Sequence, residues 1–252
     1  MGSFQPFGRV VLVETGMVIA AAVRIDGGAA GILAAVDDIA QTWDDDAMEA
    51  HAVPPNTLAP WAEIVPNAGA MTVDDLERLP DDGWQYELVE GVLVRMPASG
   101  YEASNMAYRL GGRLSVFVED HRLGGVTGEQ GGYRLDLARP RDTELMPDVA
   151  FVRADRLPPR TSPEYRKALQ LSPDLAVEVA SENQSRRTMG AKAMRYLSFG
   201  TRLVWIIWPR WQQVDVWHPG DTKPSATLEV GETLDGEEVV PGFTYPVANL
   251  FA

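Results

Sequence analysis

Hydrophobic and polar positions follow regular patterns from about residue 72 onward. Alternating apolar and polar residues are typical of half-buried strands, whereas apolar residues three and four positions apart are typical of helices. The patterns predict helices over residues 102–120 and 187–199, the second ended by Gly200. They predict strands over 84–96 with a turn at Glu90-Gly91, and over 125–128, 133–137, 148–152, 175–180, 203–207, 213–217 and, more weakly, 226–245. The predicted fold class is α/β (α+β), a mixed central β-sheet flanked by helices.

The first seventy residues have weaker periodicity and a different composition. They contain a Gly/Ala-rich stretch, an acidic stretch and a Pro-containing stretch, with a strand pair predicted over 10–13 and 17–23 and a helix over 29–43. Thr72, followed by Asp75 at the third helical position, is then the signature of a helix start, and Pro80 closes that short helix. We therefore expect an N-terminal extension over residues 1–70 and one domain over 71–252.

Two apolar strands carry a carboxylate each. Glu178 lies in the centre of its strand, and Asp148 opens the other. Carboxylates are costly inside strands unless something pairs with them. Strand alternation places Ala176 and Ala180 on the same face as Glu178, and Ala150 on the face of Asp148. This alternation predicts an open floor of small residues around the two carboxylates, with bulky apolar side chains on the opposite face.

Lys192 follows Glu178 by fourteen positions, on the second predicted helix. At about 100° per residue it lies at the edge of the apolar stripe that contains Met189, Ala193 and Tyr196. A lysine in this position can extend along the core and bring its ammonium group to the sheet. Two carboxylates can hold a divalent cation that polarises a scissile phosphate and acidifies a water, while a lysine stabilises the developing charge.

Metal preference follows from the ligands that the chain offers. There is no cysteine, and the three histidines (His51, His121 and His218) lie far apart in sequence. Oxygen ligands favour Mg²⁺, Mn²⁺ or Ca²⁺ over zinc. The absence of cysteine also fits a reducing cytoplasm.

Four motifs in the same order resemble the Uma-type restriction endonucleases of the PD-(D/E)XK nuclease superfamily. They are Tyr86-Glu87-Leu88-Val89-Glu90-Gly91, Pro147-Asp148-Val149, Pro173-Asp174-Leu175 with Glu178-Val179, and Lys192 with Tyr196 before the strand that contains Trp205. The resemblance runs from about Met71 to the C-terminus. Thr188 and Trp208 depart from it, because family members often have aspartate at both positions.

The resemblance implies a restriction-endonuclease-like fold and a metal-dependent endonuclease that cleaves DNA with Mg²⁺ (or Mn²⁺). It implies that Asp148 and Glu178 are metal ligands, that Glu87 is an additional acidic site residue and metal ligand, and that Lys192 is the catalytic lysine. A homodimer is a further expectation.

Net charge argues against a general nucleic-acid binder, because the chain carries −14 at neutral pH and such binders depend on basic surfaces. Any DNA contact would need a local patch, for example Arg186, Arg187, Lys192 and Arg195. The apolar run Met17 to Val23 is far shorter than the ~20 residues that a membrane span needs. We therefore expect a cytoplasmic location and no membrane partner.

Other interpretations of the same residues stay open at this point. Asp148 and Asp174 follow prolines, where an aspartate often only accepts local backbone hydrogen bonds. Glu87 is able to pair with Arg95 in a hairpin, and Lys192 to be an ordinary helix lysine. One alternative function is a catalytically inactive nuclease-fold module for DNA binding or regulation. Another is a sugar hydrolase with a carboxylate pair, which leaves Lys192 without a role.

Overall fold

The computed structural model describes residues 7–14, 17–24, 63–64, 71–79, 84–96, 99–135, 143–182 and 184–252. The chain divides into two compact units, Met1–Leu58 and Ala59–Ala252. The first contains the antiparallel pair β1 (Phe7–Glu14) and β2 (Met17–Arg24), which confirms the predicted strand pair. The helix predicted over 29–43 lies outside the described residues, and the domain boundary at residue 70 stays a prediction.

The second unit carries the remaining elements, with three α-helices among its described residues. In chain order they are β3 (Glu63–Ile64), α1 (Val73–Leu76), β4 (Gln85–Val89), β5 (Val92–Met96), α2 (Tyr101–Asp120), β6 (Gly124–Gly128), β7 (Tyr133–Arg134), β8 (Glu144–Leu145), β9 (Val149–Arg153), β10 (Leu175–Val179), α3 (Arg186–Ser198), β11 (Leu203–Trp208), β12 (Gln213–Trp217), β13 (Ala226–Leu228), β14 (Thr233–Asp235) and β15 (Thr244–Pro246). No helix in these described ranges is long and apolar enough to cross a membrane.

Helix boundaries follow the local signals in the sequence. Thr72 caps α1 in a reciprocal capping box, with its hydroxyl accepting from Asp75 N–H and the Asp75 carboxylate accepting from Thr72 N–H. Ser185 caps α3, and Gly200 follows its end with φ +99°. Glycine adopts this left-handed conformation without the Cβ penalty that other residues meet. The predicted helices over 102–120 and 187–199 are confirmed within one residue at each end.

The central sheet has six strands in the order β13-β12-β11-β10-β9-β6. Strands β10 and β11 are parallel and joined through α3, whereas the other neighbours are antiparallel. A second sheet has the order β3-β5-β4-β8-β7 and includes the predicted hairpin that turns at Glu90-Gly91. The predicted α+β fold with a mixed central sheet is therefore confirmed. The weak β region over 226–245 becomes the short strands β13, β14 and β15.

Helix α2 packs on one face of the central sheet. The odd-numbered residues of β10 point to this face and join a core that includes Leu110 and Leu114, both fully buried. Each buried leucine contributes roughly 1.5–3 kcal/mol relative to an exposed side chain. The bulky apolar face predicted for β10 is thus the face that α2 covers, and Leu175, Val177 and Val179 lie on it.

Helix α3 covers the opposite face, where β10 presents Glu178. The strand registers place Glu178 beside Ile206 and Ile206 beside Asp215, so two carboxylates lie in one row across three strands. Asp215 is buried and accepts from both Arg186 Nη1, at 2.7 and 2.8 Å, and Trp208 Nε1, at 2.8 Å. Helix α3 therefore contributes two cations to this row, Arg186 near its N-terminus and Lys192.

Candidate active site

Four elements bring the predicted site residues together. Strand β4 supplies Glu87, the residue before β9 is Asp148, β10 supplies Glu178, and α3 supplies Lys192. Glu87 and Glu178 are 5% and 4% exposed, whereas Asp148 is half-buried. Burial of two carboxylates on this scale requires compensation, because an unpaired buried charge is strongly destabilising.

Lys192 provides much of that compensation. Its Nζ atom lies 2.9 and 3.0 Å from the two carboxylate oxygens of Glu178 and 3.2 Å from Glu87 Oε1. Burial opposes the charged form of the lysine, but the attraction of Glu178 and Glu87 outweighs it, and the pKa of Lys192 is raised above its usual value. The ammonium group therefore stays charged between two carboxylates. Lys192 is not an ordinary surface lysine.

Glu178 is the most strongly perturbed carboxyl group of the site. Burial raises its pKa to about 8, and the charges of Asp148 and Glu87 act in the same direction, while Lys192 opposes the rise. Its Oε1 atom also accepts a hydrogen bond of 2.7 Å from the Tyr196 hydroxyl. Perturbed ionisable groups of this kind cluster at functional sites.

Asp148 lies beside Glu178 at the end of β10. Its Oδ2 atom accepts from Val179 N–H at 2.6 Å, which fixes the carboxylate against the strand that carries Glu178. Burial raises the pKa of Asp148 to about 6, against the effects of the Val179 hydrogen bond and the Lys192 charge. The charges of Glu129 and Glu87 raise this pKa further.

Glu87 is directed into the cluster. Its Oε1 atom accepts from Met146 N–H at 3.1 Å and from Lys192. Arg95, the alternative partner considered above, lies instead over the ring of Trp84, at 4.7 Å from its centroid. The four residues predicted from the sequence thus form one cluster, although their catalytic and ligand roles stay predictions.

The donor set of this cluster suits a hard cation. Asp148 and Glu178 offer carboxylate oxygens, and the charge of Asp148 raises the pKa of Glu178 by a repulsion that a divalent cation would relieve. Within the described residues, however, no three acidic or histidine side chains converge closely enough to form a complete protein cage for a metal. Mg²⁺ commonly uses one or two carboxylates and completes its shell with water and phosphate, so a two-carboxylate set fits it.

Asp174, the other aspartate that follows a proline, has a different environment. It accepts from Arg153 N–H at 2.9 Å and pairs with Arg156 Nη1 at 2.7 Å. These contacts fix the start of β10, so Asp174 acts as a structural residue at a strand terminus.

The basic residues considered for DNA contact do not form one free patch. Arg186 is bound to Asp215 and lies over the rings of Trp208 and Trp211. Burial lowers the pKa of Arg195, and the charges of Glu90 and Glu87 oppose that shift. Together with Lys192, these cations face carboxylates of the protein itself.

Tyr196 is a site residue whose role the sequence reasoning missed. Its position four residues after Lys192 was assigned to the apolar stripe, but the side chain is completely buried with its hydroxyl on Glu178. Residues four apart lie on one face of a helix. The spacing of four residues from Lys192 was therefore the sequence signal that Tyr196 lies on the same face of α3 as the lysine.

We expect Tyr196→Phe to weaken Mn²⁺ binding by about 10-fold, the scale found when a partner that orients a metal ligand is lost. The free energy of unfolding should fall by roughly 1–3 kcal/mol, because Glu178 loses a buried hydrogen bond. Isothermal titration and thermal melting measure the two effects. Tyr245→Phe is the control, since the Tyr245 hydroxyl makes only a long contact of 3.4 Å. Equal metal affinity in both variants would contradict the assignment.

Comparison with solved structures identifies the fold class. A crystal structure described as a putative nuclease belonging to DUF820, from Anabaena variabilis ATCC 29413, matches with a TM-score of 0.59. The match covers 72% of this chain and 97% of that chain at 20% sequence identity, so the likeness concerns the fold. No curated protein sequence matches the chain.

The family follows from the sequence as a whole. The family model described as "Uma2: Putative restriction endonuclease" matches residues 73–248, which is more than half of the chain. This protein therefore belongs to the Uma2 family, and the resemblance drawn from the four motifs is confirmed.

Proposed function

We propose that this protein is a divalent-metal-dependent endonuclease that hydrolyses DNA phosphodiester bonds. The observation that carries the proposal is the contact between Lys192 and the buried carboxylate of Glu178, at 2.9 and 3.0 Å, next to Asp148. The restriction-endonuclease description of its family supports DNA as the substrate.

Asp148 and Glu178 are the residues that would hold Mg²⁺ (or Mn²⁺). When bound, such a cation supplies Lewis-acid polarisation of a phosphoryl oxygen and acidifies a water ligand. Glu87 was predicted as a third ligand, but its contacts with Met146 N–H and Lys192 favour a positioning role. The ligand set, the homodimer and the cytoplasmic location stay predictions.

The protein groups have separable tasks in this proposal. Lys192 carries a permanent positive charge beside the carboxylates, where it can stabilise charge that develops on a phosphate oxygen. Glu87 restrains the ammonium group, and Tyr196 restrains Glu178. A preorganised arrangement of this kind lowers the barrier because it needs no reorganisation during the reaction.

An inactive binding or regulatory module is the second candidate. The observation that favours it is the ammonium group itself, which already pairs with both Glu87 and Glu178. Among the described residues no three acidic or histidine side chains are arranged to hold a metal ion, which points the same way. In this alternative the buried ion pairs only hold α3 on the sheet.

Incubation of the full chain with supercoiled plasmid DNA separates the two candidates. We expect nicked and linear products with Mg²⁺ or Mn²⁺ and none in EDTA. Isothermal titration with Mn²⁺ in the absence of DNA gives an independent readout. Metal binding without cleavage, or neither, would overturn the endonuclease proposal and favour the inactive module.

A further inference from the structure

An open cleft of about 670 Å³ lies between α2 and β6. It belongs to the size range of sites that bind small molecules or short segments. Asp148 forms part of its wall, so the cleft reaches the candidate active site. Its other described lining residues are Ser104, Ala107, Tyr108, Gly111, Gly112, Ser115, Val126, Thr127, Gly128, Glu129, Gln130, Gly131 and Val149.

Asp148 connects this cleft with the buried cluster. Glu87, Glu178 and Lys192 do not line the cleft, and the two glutamates are almost completely buried. Of the four candidate site residues, Asp148 is the member on the cleft wall. A ligand that occupies the cleft therefore meets the site at Asp148.

The charge of the cleft is unsuited to a rigid DNA duplex. Its described lining residues include Glu129 and Asp148 but no lysine or arginine. Duplex binding depends on neutralising phosphates that carry one charge per ~1.7 Å of helix axis. A chain with a net charge of −14 offers little general compensation.

Exposed aromatic rings offer a contact that does not depend on charge. Tyr108 lines the cleft and is 78% exposed, and Tyr101, seven residues earlier on α2, is 87% exposed. Seven residues are close to two helical turns, so both rings lie on the same side of α2. Bases of a single strand stack on such rings, and each stack contributes about 1–3 kcal/mol.

Two glycines of the cleft lining border open space. A Cβ atom added at Gly112 or Gly128 would meet nothing within 4 Å. Gly112 lies four residues after Tyr108, on the same side of α2. A side chain introduced at either glycine would therefore extend into open space.

We propose that the cleft between α2 and β6 binds a single strand of DNA, with one base stacked on Tyr108 in the cleft, a second on Tyr101 further along the same side of α2, and a phosphate directed to Asp148. Taking DNA as the ligand rests on the proposed function. Because the wall is acidic, a phosphate near Asp148 would need a divalent cation held by that carboxylate, so we expect binding to depend on metal. The preferred substrate is unpaired DNA, such as a frayed end or a displaced strand.

Fluorescence anisotropy with the full chain tests this proposal without requiring catalysis. The probes are a labelled 15-nucleotide single strand and the same sequence as a duplex, each with Ca²⁺ and with EDTA. We expect the single strand to bind at least about 10-fold more tightly than the duplex. We expect this binding in Ca²⁺ and not in EDTA. Loss of one stack in Tyr108→Ala should weaken binding by about 5- to 100-fold.

Gly112→Trp should block the cleft and abolish single-strand binding, because its side chain extends into space that is open. Gly231→Trp and Tyr165→Ala are the controls, as Gly231 is equally unobstructed and Tyr165 is an exposed tyrosine outside the cleft lining. Thermal melting checks that each variant folds.

Three outcomes would overturn the cleft proposal: duplex binding as tight as single-strand binding, unchanged binding in both Tyr108→Ala and Gly112→Trp, or plasmid cleavage that persists in Gly112→Trp. Plasmid cleavage that persists in Gly112→Trp would contradict the cleft proposal but leave the endonuclease proposal intact. Cation-dependent single-strand binding without any cleavage would support the cleft proposal and contradict the endonuclease proposal. The two proposals therefore fail separately.

Discussion

Replacing Glu178 with glutamine is expected to reduce metal-dependent DNA cleavage by at least about 10²-fold, the scale on which one preorganised electrostatic contact acts. The amide keeps the shape of the side chain and an oxygen for the Tyr196 hydroxyl. It removes the negative charge that would hold the cation. Single-turnover cleavage of plasmid DNA with Mn²⁺ measures the effect.

Fold integrity distinguishes loss of chemistry from loss of structure in this variant. Lys192 retains Glu87 as a charged partner at 3.2 Å, so Glu178→Gln should stay folded by circular dichroism. Asp148→Asn should lose cleavage in the same way. Glu119→Gln, an exposed position on α2, is the matched control and should cleave like the parent protein. Undiminished cleavage by Glu178→Gln would contradict the proposed active site.

Lys192→Met is expected to change stability and turnover together. The substitution keeps the apolar stem but leaves Glu87 and Glu178 buried without their shared cation. Removing one partner of a buried ion pair costs about 3–5 kcal/mol, which for a domain of this size lowers the melting temperature by roughly 6–20 °C. Turnover should fall by about 10²-fold, since charge on the phosphate loses its stabilising contact.

Metal binding gives the decisive comparison for Lys192. We expect the Lys192→Met variant to retain Mn²⁺ affinity. The ammonium group that it lacks is not a metal ligand, and without this group Glu178 has no competing contact with a lysine. Added Mn²⁺ should also restore part of the lost thermal stability. Lys167→Met is the control, as Lys167 forms a more exposed pair with Glu77 at 3.2 Å, and pairs of that kind contribute at most about 1 kcal/mol. A variant with unchanged turnover would exclude Lys192 from the mechanism.

The order of strands and helices was predictable because local signals and tertiary structure agree. Thr72, Ser185 and Gly200 occupy cap positions whose backbone requirements are local. Strand lengths were less predictable. The strand predicted over 133–137 is represented by Tyr133–Arg134, which pairs with the two-residue strand β8, and residues 136 and 137 lie outside the described part of the chain. Such pairing depends on residues distant in sequence, which periodicity does not detect.

The candidate site was accessible from the sequence only in part. Glu178 was predictable because a charge inside an apolar strand needs a partner, and Lys192 is that partner. The role of Tyr196 was hidden, since a tyrosine at a helical core position is usually interpreted as packing. The cleft at Asp148 was also hidden, because it forms between α2 and β6, and neither segment alone indicates a cavity.

The row that contains Glu178, Ile206 and Asp215 has a consequence for the placement of α3. Arg186 and Lys192 reach its two carboxylates from positions six residues apart on one helix. Sliding α3 by one turn would displace both cations by about 5.4 Å, beyond hydrogen-bonding distance, and would leave two carboxylates unpaired. The two ion pairs thus fix the position of α3 on the sheet at two points. This position places the ammonium group of Lys192 within reach of the site.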